Sequence, residues 1–483
     1  MIRWDRPGSL PPMTDGQQRR ALVSFSMPAT CLRVAIVGSG PSGFYAAEHL
    51  LQQQPGIEID LFDQLPTPFG LVRGGVAPDH QKIKSVTRVY EKIAGNPAIR
   101  FFGNVRIGTD LSRDDLLRRY HAVIYACGAQ SDRALGVPGE NLAGSHAATD
   151  FVGWFNGHPD YRDREFDLTQ ENVAVIGMGN VAVDVVRILA RTPAQLHGTD
   201  IAAHALDALR QSRVRNIYMI GRRGPVQAAF TNPELKELGE MADADVVVHA
   251  GELELDPASA AILASGADKV AEKNLRTLRA FTAKPASGKS RTIHIRFRLS
   301  PVELIGTGRV ERLVLGRNRL VAGKPGEIRA EPTGETESLP VGLLFRSVGY
   351  LGTGVPGAPF DAKRGIIPNE RGRVLARPGT VARGEYAVGW IKRGPSGVIG
   401  TNKPDAVESA DLLLEDAAAG ALNLPAEPSR GAVEQQLRAR QVRVVSWADW
   451  QRLDELEKAR GAAQGRPRLK FTRVAEMLAA LGG

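Results

Sequence analysis

The clearest hydrophobic pattern in the chain is an apolar strand followed by a glycine-rich turn and an apolar helix. The run LRVAIVG at residues 32–38 is almost entirely apolar and β-branched, which is typical of a parallel strand covered on both faces. The turn GSGPSG follows at 38–43, the helical pattern FYAAEHLL at 44–51, and a second strand at 57–62. This order of strand, turn, helix and strand predicts a complete βαβ unit.

The same order of patterns returns near the middle of the chain. NVAVIG at 172–177 predicts a strand, GMGNVA at 177–182 a glycine turn, and the residues at 183–189 a helix. A second strand at 216–220 follows an inserted helical segment at about residues 200–210. Two units of this kind predict an α/β fold with two Rossmann-like domains, and therefore two dinucleotide sites.

Further strands that end in glycine indicate where the chain passes between the two units. AVIYACG at 122–128 and GLLFRSVG at 342–349 are near copies, and EYAVGW at 385–390 is another short strand. We therefore expect the second domain to be inserted into the first. The expected bounds are 1–31 for a lead, 32–133 and 345–483 for the two parts of the first domain, and 134–344 for the inserted domain.

Both ends of the chain differ in pattern from the two domains. The C-terminal tail is charged and mostly helical, with a helix expected at 447–457 and a capping box formed by Ser446 and Asp449. The lead holds Pro, Gly, Gln and Arg in no regular order, which favours disorder. Translation from Met1 and translation from Met27 both fit the sequence.

Composition narrows the class of protein. In a chain of 483 residues, no apolar run approaches the roughly 20 residues that a membrane helix needs, so no membrane span is expected. The two cysteines, Cys31 and Cys127, are far apart, which excludes a redox-active CxxC disulfide. They are also too few for an iron–sulfur cluster, which needs about four thiolates. No metal site is expected.

The net charge of +9 leaves two interpretations open. One is a solvated basic surface without a partner, and the other is an acidic partner or anionic ligands. Lysines and arginines are dispersed and aromatic residues are sparse, so nucleic-acid binding is not expected.

The first glycine turn has the spacing of a dinucleotide fingerprint. Gly38 permits the tight turn, Gly40 lets the backbone approach a pyrophosphate, and Gly43 allows the helix to pack closely on the strand. The phosphates would lie at the positive N-terminus of the helix. The next strand ends in Asp63, where a carboxylate can bind ribose hydroxyls.

The second glycine turn has the same spacing but the opposite charge after its second strand. Gly177, Gly179 and Ala182 complete the fingerprint, which allows alanine in the last place. In place of an acid, this strand leads to Arg222 and Arg223, whose guanidinium groups are suited to a 2′-phosphate. The sequence therefore predicts FAD in the first site and NADPH, in preference to NADH, in the second.

Six stretches resemble the adrenodoxin reductase family of ferredoxin–NADP⁺ reductases, which includes bacterial members. They are VAIVGSGPSGFYAAEHL, PFGLVRGGVAPDH, FFGNVRIG, VAVIGMGNVAVDVVRIL, RQSRVRNIYMIGRRGPVQAAFTNPEL and YAVGWIKRGPSGVIGTNKPDA. The similarity extends from about Arg33 to Ala406, and GRPRLKFTRVAEML in the tail is also similar. The second and the last of the six stretches are the most specific to the family.

The resemblance implies which residues line each cofactor, in addition to Gly38 and Gly40. For FAD they are Ser42, Gly43, Asp63, Leu71, Val105, Trp390, Gly397, Val398 and Ile399. For NADPH they are Met178, Gly179, Asn180, Val181, Arg222, Arg223, Glu234 and Gly397. The chain departs mildly from the family at Asp63, where glutamate is frequent. Trp390 stands where many related flavoproteins carry an aspartate, and this favours the family over them.

His80 and Glu234 match a pair that the family places near the flavin and the nicotinamide. The resemblance implies that they orient the reactants and handle protons, because hydride passes directly between the two rings and needs no nucleophile. Each also has a plainer interpretation. His80 fits a hydrogen-bonded structural histidine, and Glu234 fits an acid in the first turn of a helix after Pro233.

The implied activity is an FAD-dependent NADPH:ferredoxin oxidoreductase of the bacterial cytoplasm, with the mitochondrial matrix as second choice. FAD would receive hydride from NADPH and pass single electrons to an external iron–sulfur protein. A basic face would steer an acidic ferredoxin, although a plain solvated face fits as well. The residues of this face are Lys269, Lys273, Arg276, Arg279, Arg296 and Arg298. A flavin monooxygenase and a non-catalytic redox-sensing flavoprotein are the alternatives.

Overall fold

The computed structural model describes residues 31–285, 287–324 and 327–482. The predicted lead therefore lies outside the described residues except for Cys31. The described residues form an α/β protein built around two mainly parallel sheets, as the two glycine patterns predict. No helix in these ranges is long and apolar enough to cross a membrane.

The strands range from two to thirteen residues. They are β1 (Arg33–Val37), β2 (Glu58–Phe62), β3 (Ile99–Phe102), β4 (Ala122–Tyr125), β5 (Ser131–Asp132), β6 (Ser145–Ala147), β7 (Asn172–Ile176), β8 (Asn216–Gly221), β9 (Ala244–Val248), β10 (Arg291–Phe297), β11 (Leu299–Ile305), β12 (Arg312–Ala322), β13 (Ile328–Pro340), β14 (Leu343–Arg346), β15 (Tyr350–Leu351), β16 (Asn369–Glu370), β17 (Arg373–Arg377) and β18 (Thr380–Ala387).

The described residues contain seventeen α-helices, of which α1 and α7 directly follow the two glycine turns. They are α1 (Pro41–Gln53), α2 (Leu71–Gly74), α3 (Gln81–Lys84), α4 (Thr87–Ala94), α5 (Arg113–Leu117), α6 (Ala148–Asn156), α7 (Asn180–Ala190), α8 (Pro193–His197), α9 (Ala203–Arg210), α10 (Asn232–Gly239), α11 (Pro257–Ala264), α12 (Lys269–Ala283), α13 (Trp390–Arg393), α14 (Asn402–Ala418), α15 (Ala432–Ala439), α16 (Trp447–Ala462) and α17 (Val474–Ala480).

The first sheet has the strand order β16-β17-β18-β4-β1-β2-β3. Strand β1 is buried along its whole length, which explains its unbroken apolar sequence. The neighbours of β1 are β2 and β4, and both run parallel to it. The carboxyl ends of the three strands therefore meet at one edge, and ligands of open α/β sheets bind at such an edge.

The second sheet repeats this arrangement with the order β6-β14-β7-β8-β10-β9. Here β14 pairs with β7 in the way that β4 pairs with β1. The predicted bound at residue 344 falls inside β14, so this strand favours a domain boundary after Arg346. The division of the chain into domains otherwise stays a prediction.

A third, antiparallel sheet of β11, β12 and β13 extends from the second sheet, and the hydrophobic pattern did not indicate it. Most side chains of β13 are exposed, so this strand shows little alternation of apolar and polar residues.

The capping box predicted in the C-terminal tail is confirmed. The Ser446 hydroxyl oxygen accepts the backbone N–H of Asp449 at 3.2 Å. In return, the Asp449 carboxylate accepts the backbone N–H of Ser446 at 3.0 Å. The helix α16 that begins there ends at Ala462, five residues later than the pattern predicts.

The residues at 464–473, which we call the tail strap, join the two sheets of the molecule. The Arg466 guanidinium donates to the carbonyl oxygens of Thr199 and Ile201, just before α9. Lys470 is buried, and its Nζ lies 3.0 Å from Asp200 Oδ2. The same carboxylate binds Lys84 of α3 at 2.8 Å. The strap therefore ties elements around the first sheet to elements around the second.

Candidate active site

Gly38 and Gly177, the first glycines of the two turns, are required by the protein's own packing. Their φ angles are +115° and +146°, which L side chains rarely adopt. A Cβ on Gly38 would lie 2.5 Å from the carbonyl oxygen of Ala126, and one on Gly177 would lie 2.2 Å from that of Ser347. Ala126 follows β4 and Ser347 follows β14, so both turns press against the neighbouring strand in the same way. Gly43 is required as well, because a Cβ there would collide with the carbonyl oxygen of Gly38.

Gly40 and Gly179, the second glycines, are not required by protein packing. Their φ angles of −84° and −105° suit any residue. A Cβ on Gly40 would have its nearest neighbour at 4.0 Å, and one on Gly179 would have no described atom within 4 Å. These glycines are the N-caps of α1 and α7, and neither helix has a side-chain cap among the described residues. Free N–H groups behind an open glycine fit the pyrophosphate of a dinucleotide.

Asp63 lies directly after β2 and faces the first glycine turn. Its Oδ2 accepts hydrogen bonds from the backbone N–H and the hydroxyl of Ser39, at 3.1 and 2.5 Å. Its Oδ1 accepts the backbone N–H of Leu65 at 3.0 Å. Burial raises the pKa of Asp63, and the hydrogen bonds from Ser39 and Leu65 oppose that rise. An ionised carboxylate has about four acceptor positions, so one remains for a ribose hydroxyl.

The other residues that were expected to line the first site differ in exposure and in their contacts. Ser42 lies in the first turn of α1, and a Cβ on Gly389 would lie 2.1 Å from its hydroxyl oxygen. Leu71, at the start of α2, is 37% exposed and free to contact a ligand. Val105 is only 1% exposed, so its side chain belongs to the core and lines no cleft. The assignment of Val105 to FAD stays a prediction, with its main chain as the part that would contact the ligand.

Trp390 begins α13, directly after the glycine that meets Ser42. Its indole N–H donates to the carbonyl oxygen of Ser396 at 3.1 Å, and its ring lies 5.5 Å from the ring of Tyr350. Gly397 has a φ of +82°, and the Val398 side chain that follows it is 53% exposed. Ile399 starts a short 3₁₀ turn that leads into α14. These residues form one loop at the carboxyl edge of the first sheet.

In the second site, Met178 precedes the N-cap Gly179, and Asn180 and Val181 form the start of α7. The Met178 carbonyl oxygen accepts the backbone N–H of Ala229 at 2.8 Å. The Asn180 side chain accepts the backbone N–H of Thr231 at 2.8 Å. Val181 packs partly buried against the core. Asn180 therefore lies beside the glycine turn and also forms a hydrogen bond within the protein.

Arg222 and Arg223 follow β8 and are both exposed. Hydrogen bonds hold the backbone of both residues. The Asn318 side-chain amide donates to the carbonyl oxygen of Arg222 at 2.9 Å. The backbone N–H of Arg298 donates to the carbonyl oxygen of Arg223 at 3.0 Å. Neither guanidinium forms an ion pair with a described carboxylate. Partial burial and the charge of Arg222 lower the pKa of Arg223. Two adjacent cations without an acid suit a phosphate group.

His80 and Glu234 are brought together although they are far apart in sequence. His80 Nε2 lies 3.6 Å from Glu234 Oε2 and 3.0 Å from Glu237 Oε2. Glu234 and Glu237 are one turn apart on α10, and His80 precedes α3. The pair implied by the resemblance is thus a contact across the cleft between the two sheets.

Arg187 lies at the centre of this cluster and was missed by the sequence reasoning. Its side chain is fully buried, and its Nε lies 2.6 Å from Asp79 Oδ2. It also lies 2.5 Å from Asp184 and 3.1 Å from Glu234. A signal was present, because Asp184 and Arg187 are the charged residues of a helix whose other residues are apolar except for Asn180. The sequence does not show that their partners lie on other elements.

One group in the described residues has the spacing of metal ligands, namely His80, Asp184 and Glu234. The Arg187 guanidinium lies within hydrogen-bonding distance of all three, at 3.4, 2.5 and 3.1 Å. A cation is therefore already supplied by the chain at the place that a metal ion would take.

Proteins of similar sequence show the family of this chain. A family model described as pyridine nucleotide-disulphide oxidoreductase matches residues 32–220. NADPH-ferredoxin reductase FprA of Mycobacterium tuberculosis is 48% identical over 92% of this chain and 98% of its own. The human mitochondrial NADPH:adrenodoxin oxidoreductase is 41% identical over 95% of this chain and 94% of its own. The chain belongs to the adrenodoxin reductase family of ferredoxin reductases.

The fold of this reductase agrees with that of a solved family member. The structure of Mycobacterium tuberculosis FprA in complex with NADPH superposes with a TM-score of 0.88 at 47% identity, over 94% of this chain and all of that one. The family resemblance and the α/β fold with two Rossmann-like units are thereby confirmed.

The cysteines of this reductase cannot form the disulfide that the family model's description mentions. Cys31 precedes β1 and Cys127 follows β4. Because β1 and β4 are parallel, the two thiols lie at opposite ends of the sheet. Burial raises the pKa of Cys127 to about 12, which favours the thiol over the more reactive thiolate.

Some residues of the expected basic face are exposed, and the others are bound to neighbouring groups of the protein. The exposed part lies on α12 and consists of Lys269, Lys273, Arg276 and Arg279. Arg296 is only 12% exposed and lies 2.8 Å from Glu252, so it is not a free surface charge. The Arg298 guanidinium donates to the carbonyl oxygen of Gly251 at 2.5 Å. The basic face therefore reduces to the exposed side of α12.

A second basic surface adjoins the Trp390 loop. A cleft of about 640 Å³ is lined by Arg133, Lys363, Arg364 and Arg393, with Asp361 and Ser396. Arg393 lies 3.3 Å from Asp405. The other three cations form no ion pair with a described residue.

Proposed function

We propose that this chain transfers electrons from NADPH through FAD to a ferredoxin-type iron–sulfur protein. The observation that carries the proposal is the contrast between two equivalent glycine turns. One faces the carboxylate of Asp63, and the other faces the guanidiniums of Arg222 and Arg223, which no described carboxylate pairs. The relatives named NADPH-ferredoxin reductase and NADPH:adrenodoxin oxidoreductase, which match nearly the whole chain, support the same conclusion.

The residues at the first sheet would hold FAD, which supplies a ring that accepts hydride and releases single electrons. The turn at Gly38, Gly40 and Gly43 would bind the pyrophosphate, and Asp63 the ribose. Ser42 and Leu71 would line the cleft, and Trp390 with Gly397, Val398 and Ile399 would flank the ring. Val105 would contribute main chain alone.

The residues at the second sheet would bind NADPH and present its nicotinamide to the first site. Met178, Gly179 and the start of α7 at Asn180 and Val181 would receive the pyrophosphate. Arg222 and Arg223 would bind the 2′-phosphate. Glu234 and Gly397 would lie toward the nicotinamide end.

His80 and Glu234 would orient the reactants and hold a proton at His80 Nε2. No side chain needs to act as a nucleophile, because hydride transfer is direct. The role of the protein is to fix the distance between the two sites and to exclude water from them. The buried cluster around Arg187 supports this role, since it joins the loop before α3 to α7 and α10.

The exposed cations of α12 would form the docking surface for an acidic ferredoxin, and the cleft beside Trp390 is the competing surface. The bacterial cytoplasm is the compartment that we propose, because bacterial reductases are among the close relatives of this chain.

The decisive experiment is stopped-flow reduction of the yellow protein by NADPH and NADH, followed by ferredoxin and cytochrome c. We expect fast bleaching by NADPH, slow bleaching by NADH and ferredoxin-dependent reduction of cytochrome c. No bleaching by either nucleotide would contradict the proposal and leave the non-catalytic alternative. Reoxidation by oxygen coupled to oxygenation of a small substrate would favour a flavin monooxygenase.

A further inference from the structure

The turn at residues 222–224, which we call the arginine turn, follows β8 and is held through its main chain. The ladder between β8 and β10 ends at the pair of Gly221 and Phe297. One residue further along, the backbone N–H of Arg298 donates to the carbonyl oxygen of Arg223 at 3.0 Å. The arginine turn is therefore attached to the junction between β10 and β11.

Arg298 also connects the arginine turn to β12. Its φ of +59° is uncommon for a residue with a side chain. While its N–H group binds Arg223, its carbonyl oxygen accepts the backbone N–H of Asn318 at 2.7 Å. The guanidinium of Arg298 donates to the carbonyl oxygen of Gly251, so this arginine supports the turn through its main chain.

The side chain of Asn318 holds the other arginine of the turn. Asn318 lies in β12, at the irregularity where the register with β13 shifts, and it is only 5% exposed. Its Nδ2 donates to the carbonyl oxygen of Arg222 at 2.9 Å and to the hydroxyl oxygen of Ser300 at 2.8 Å. An amide nitrogen carries two N–H groups, and a backbone carbonyl can only accept. The orientation of the Asn318 amide is therefore determined by its partners.

The arginine turn leaves both guanidiniums for a ligand while the protein holds its main chain. Partial burial and the positive charge of Arg222 lower the pKa of Arg223, and a phosphate bound to both would offset this repulsion. Binding must order two long side chains, and each costs free energy to immobilise. A main chain that is already fixed keeps this cost low, because only the side chains remain to be ordered.

We propose that Asn318 is a positioning residue that fixes the main chain of Arg222 and, through Arg298, that of Arg223. It thereby determines the discrimination between nucleotides with and without a 2′-phosphate. The inference rests on the function proposed above, because it takes NADPH as the ligand of the second site. It gives the third sheet, which carries Asn318 and Ser300, a role in nucleotide selection.

The test compares two probes that differ only in the 2′-phosphate, namely adenosine 2′,5′-bisphosphate and 5′-AMP. Their binding to the complete flavoprotein is measured by isothermal titration calorimetry. Asn318→Leu keeps the approximate volume of the side chain and removes its donor. We expect the preference for the bisphosphate, taken as the ratio of the two dissociation constants, to fall about three- to tenfold. Equal weakening of both probes would show a general loss of structure and overturn the proposal.

Ser300→Ala is a milder variant of the same contact. It removes one of the two acceptors that orient the Asn318 amide, so we expect a smaller fall in the same ratio. An unchanged ratio in Ser300→Ala would overturn the proposal where Asn318→Leu does not fold.

Asn216→Leu is the matched control. Asn216 begins β8, at the opposite end of the strand from the arginine turn, and its side-chain amide donates to Asn172 at 2.9 Å. The substitution makes the same chemical change in the second sheet, and it is expected to leave the ratio unchanged. A fall equal to that in Asn318→Leu would assign the effect to a general weakening of the sheet and contradict a specific role for Asn318.

The wild-type protein separates a failure of this inference from a failure of the proposed function. Equal affinity of the wild type for the two probes would refute the assignment of NADPH to the second site, and the inference with it. A wild-type preference that a folded Asn318→Leu protein retains would overturn the role of Asn318 alone.

Discussion

The side chain of Asn180 accepts the backbone N–H of Thr231 at 2.8 Å, and so links the second glycine turn to the helix that carries Glu234. Thr231 is the N-cap of α10 and makes no side-chain cap of its own. We predict that Asn180→Ala lowers kcat about tenfold, because loosening this end of α10 displaces Glu234. Steady-state kinetics with ferricyanide would check this. A rise in the KM for NADPH with unchanged kcat would show that Asn180 only binds the nucleotide.

Replacement of Arg222 or Arg223 by alanine should remove the preference for NADPH. A charged hydrogen bond contributes about 1.5–3 kcal/mol, so each substitution should raise the KM for NADPH about ten- to a hundredfold. NADH lacks the 2′-phosphate, and its KM in the same variant is the internal control. If both KM values rise together, the arginines do not recognise the phosphate.

The glycines of the second turn should respond differently to alanine. Gly179→Ala fits the backbone and displaces no described atom, so it should fold normally and lose affinity for NADPH. Gly177→Ala meets the Ser347 carbonyl oxygen at 2.2 Å, so it should lower the melting temperature. Thermal unfolding and nucleotide titration of both variants test this contrast. Equal affinity in Gly179→Ala and wild type would argue against a pyrophosphate there.

Asp184 should make stability depend on pH. Burial raises its pKa from 3.8 to about 6, even though Arg187 opposes the shift. Between these values the folded protein holds a proton that the unfolded chain releases, so this contribution to stability falls as the pH rises. The difference in unfolding free energy between wild type and Asp184→Asn should decline by up to about 1.4 kcal/mol per pH unit. Denaturant titrations at pH 4, 5, 6 and 7 would measure this difference in unfolding free energy. A difference that does not change with pH would contradict the raised pKa of Asp184.

The two basic surfaces can be separated by charge reversal. Lys273 and Arg279 on α12 form no ion pair with a described residue, and neither do Lys363 and Arg364 at the cleft. We predict that reversing the first pair to glutamate raises the KM for ferredoxin about tenfold at low salt, with ferricyanide reduction unchanged. Reversal of the second pair makes the same change in net charge and serves as the control. A larger rise in the KM for ferredoxin after reversal of Lys363 and Arg364 would show that ferredoxin docks at the cleft instead of at α12.

Most of the fold could be predicted from the sequence because its signals are local. Gly38 and Gly177 each follow a β-branched strand and precede an apolar helix, and this order specifies a βαβ unit without knowledge of distant contacts. The position of Arg222 and Arg223 could be predicted for the same reason, since they directly follow a predicted strand, while their binding of the 2′-phosphate stays a prediction.

The cluster around Arg187 could not be predicted in this way. Its partner Asp79 is 108 residues away in sequence, and only the fold brings the two together. The direction of the Val105 side chain could not be predicted either, because the resemblance identifies a position and not a direction. Burial, which the sequence does not give, decides that direction.

The tail strap restricts the separation of the two sheets. Lys470 and Lys84 share the buried carboxylate of Asp200. Rotation of the second sheet away from the first would separate Asp200 from both lysines and leave these three charges unpaired. Breaking one buried pair costs about 3–5 kcal/mol, which keeps a swung-open form below about one molecule in a hundred. The joined form therefore predominates, and an arriving nucleotide meets the two glycine turns already assembled around one crevice.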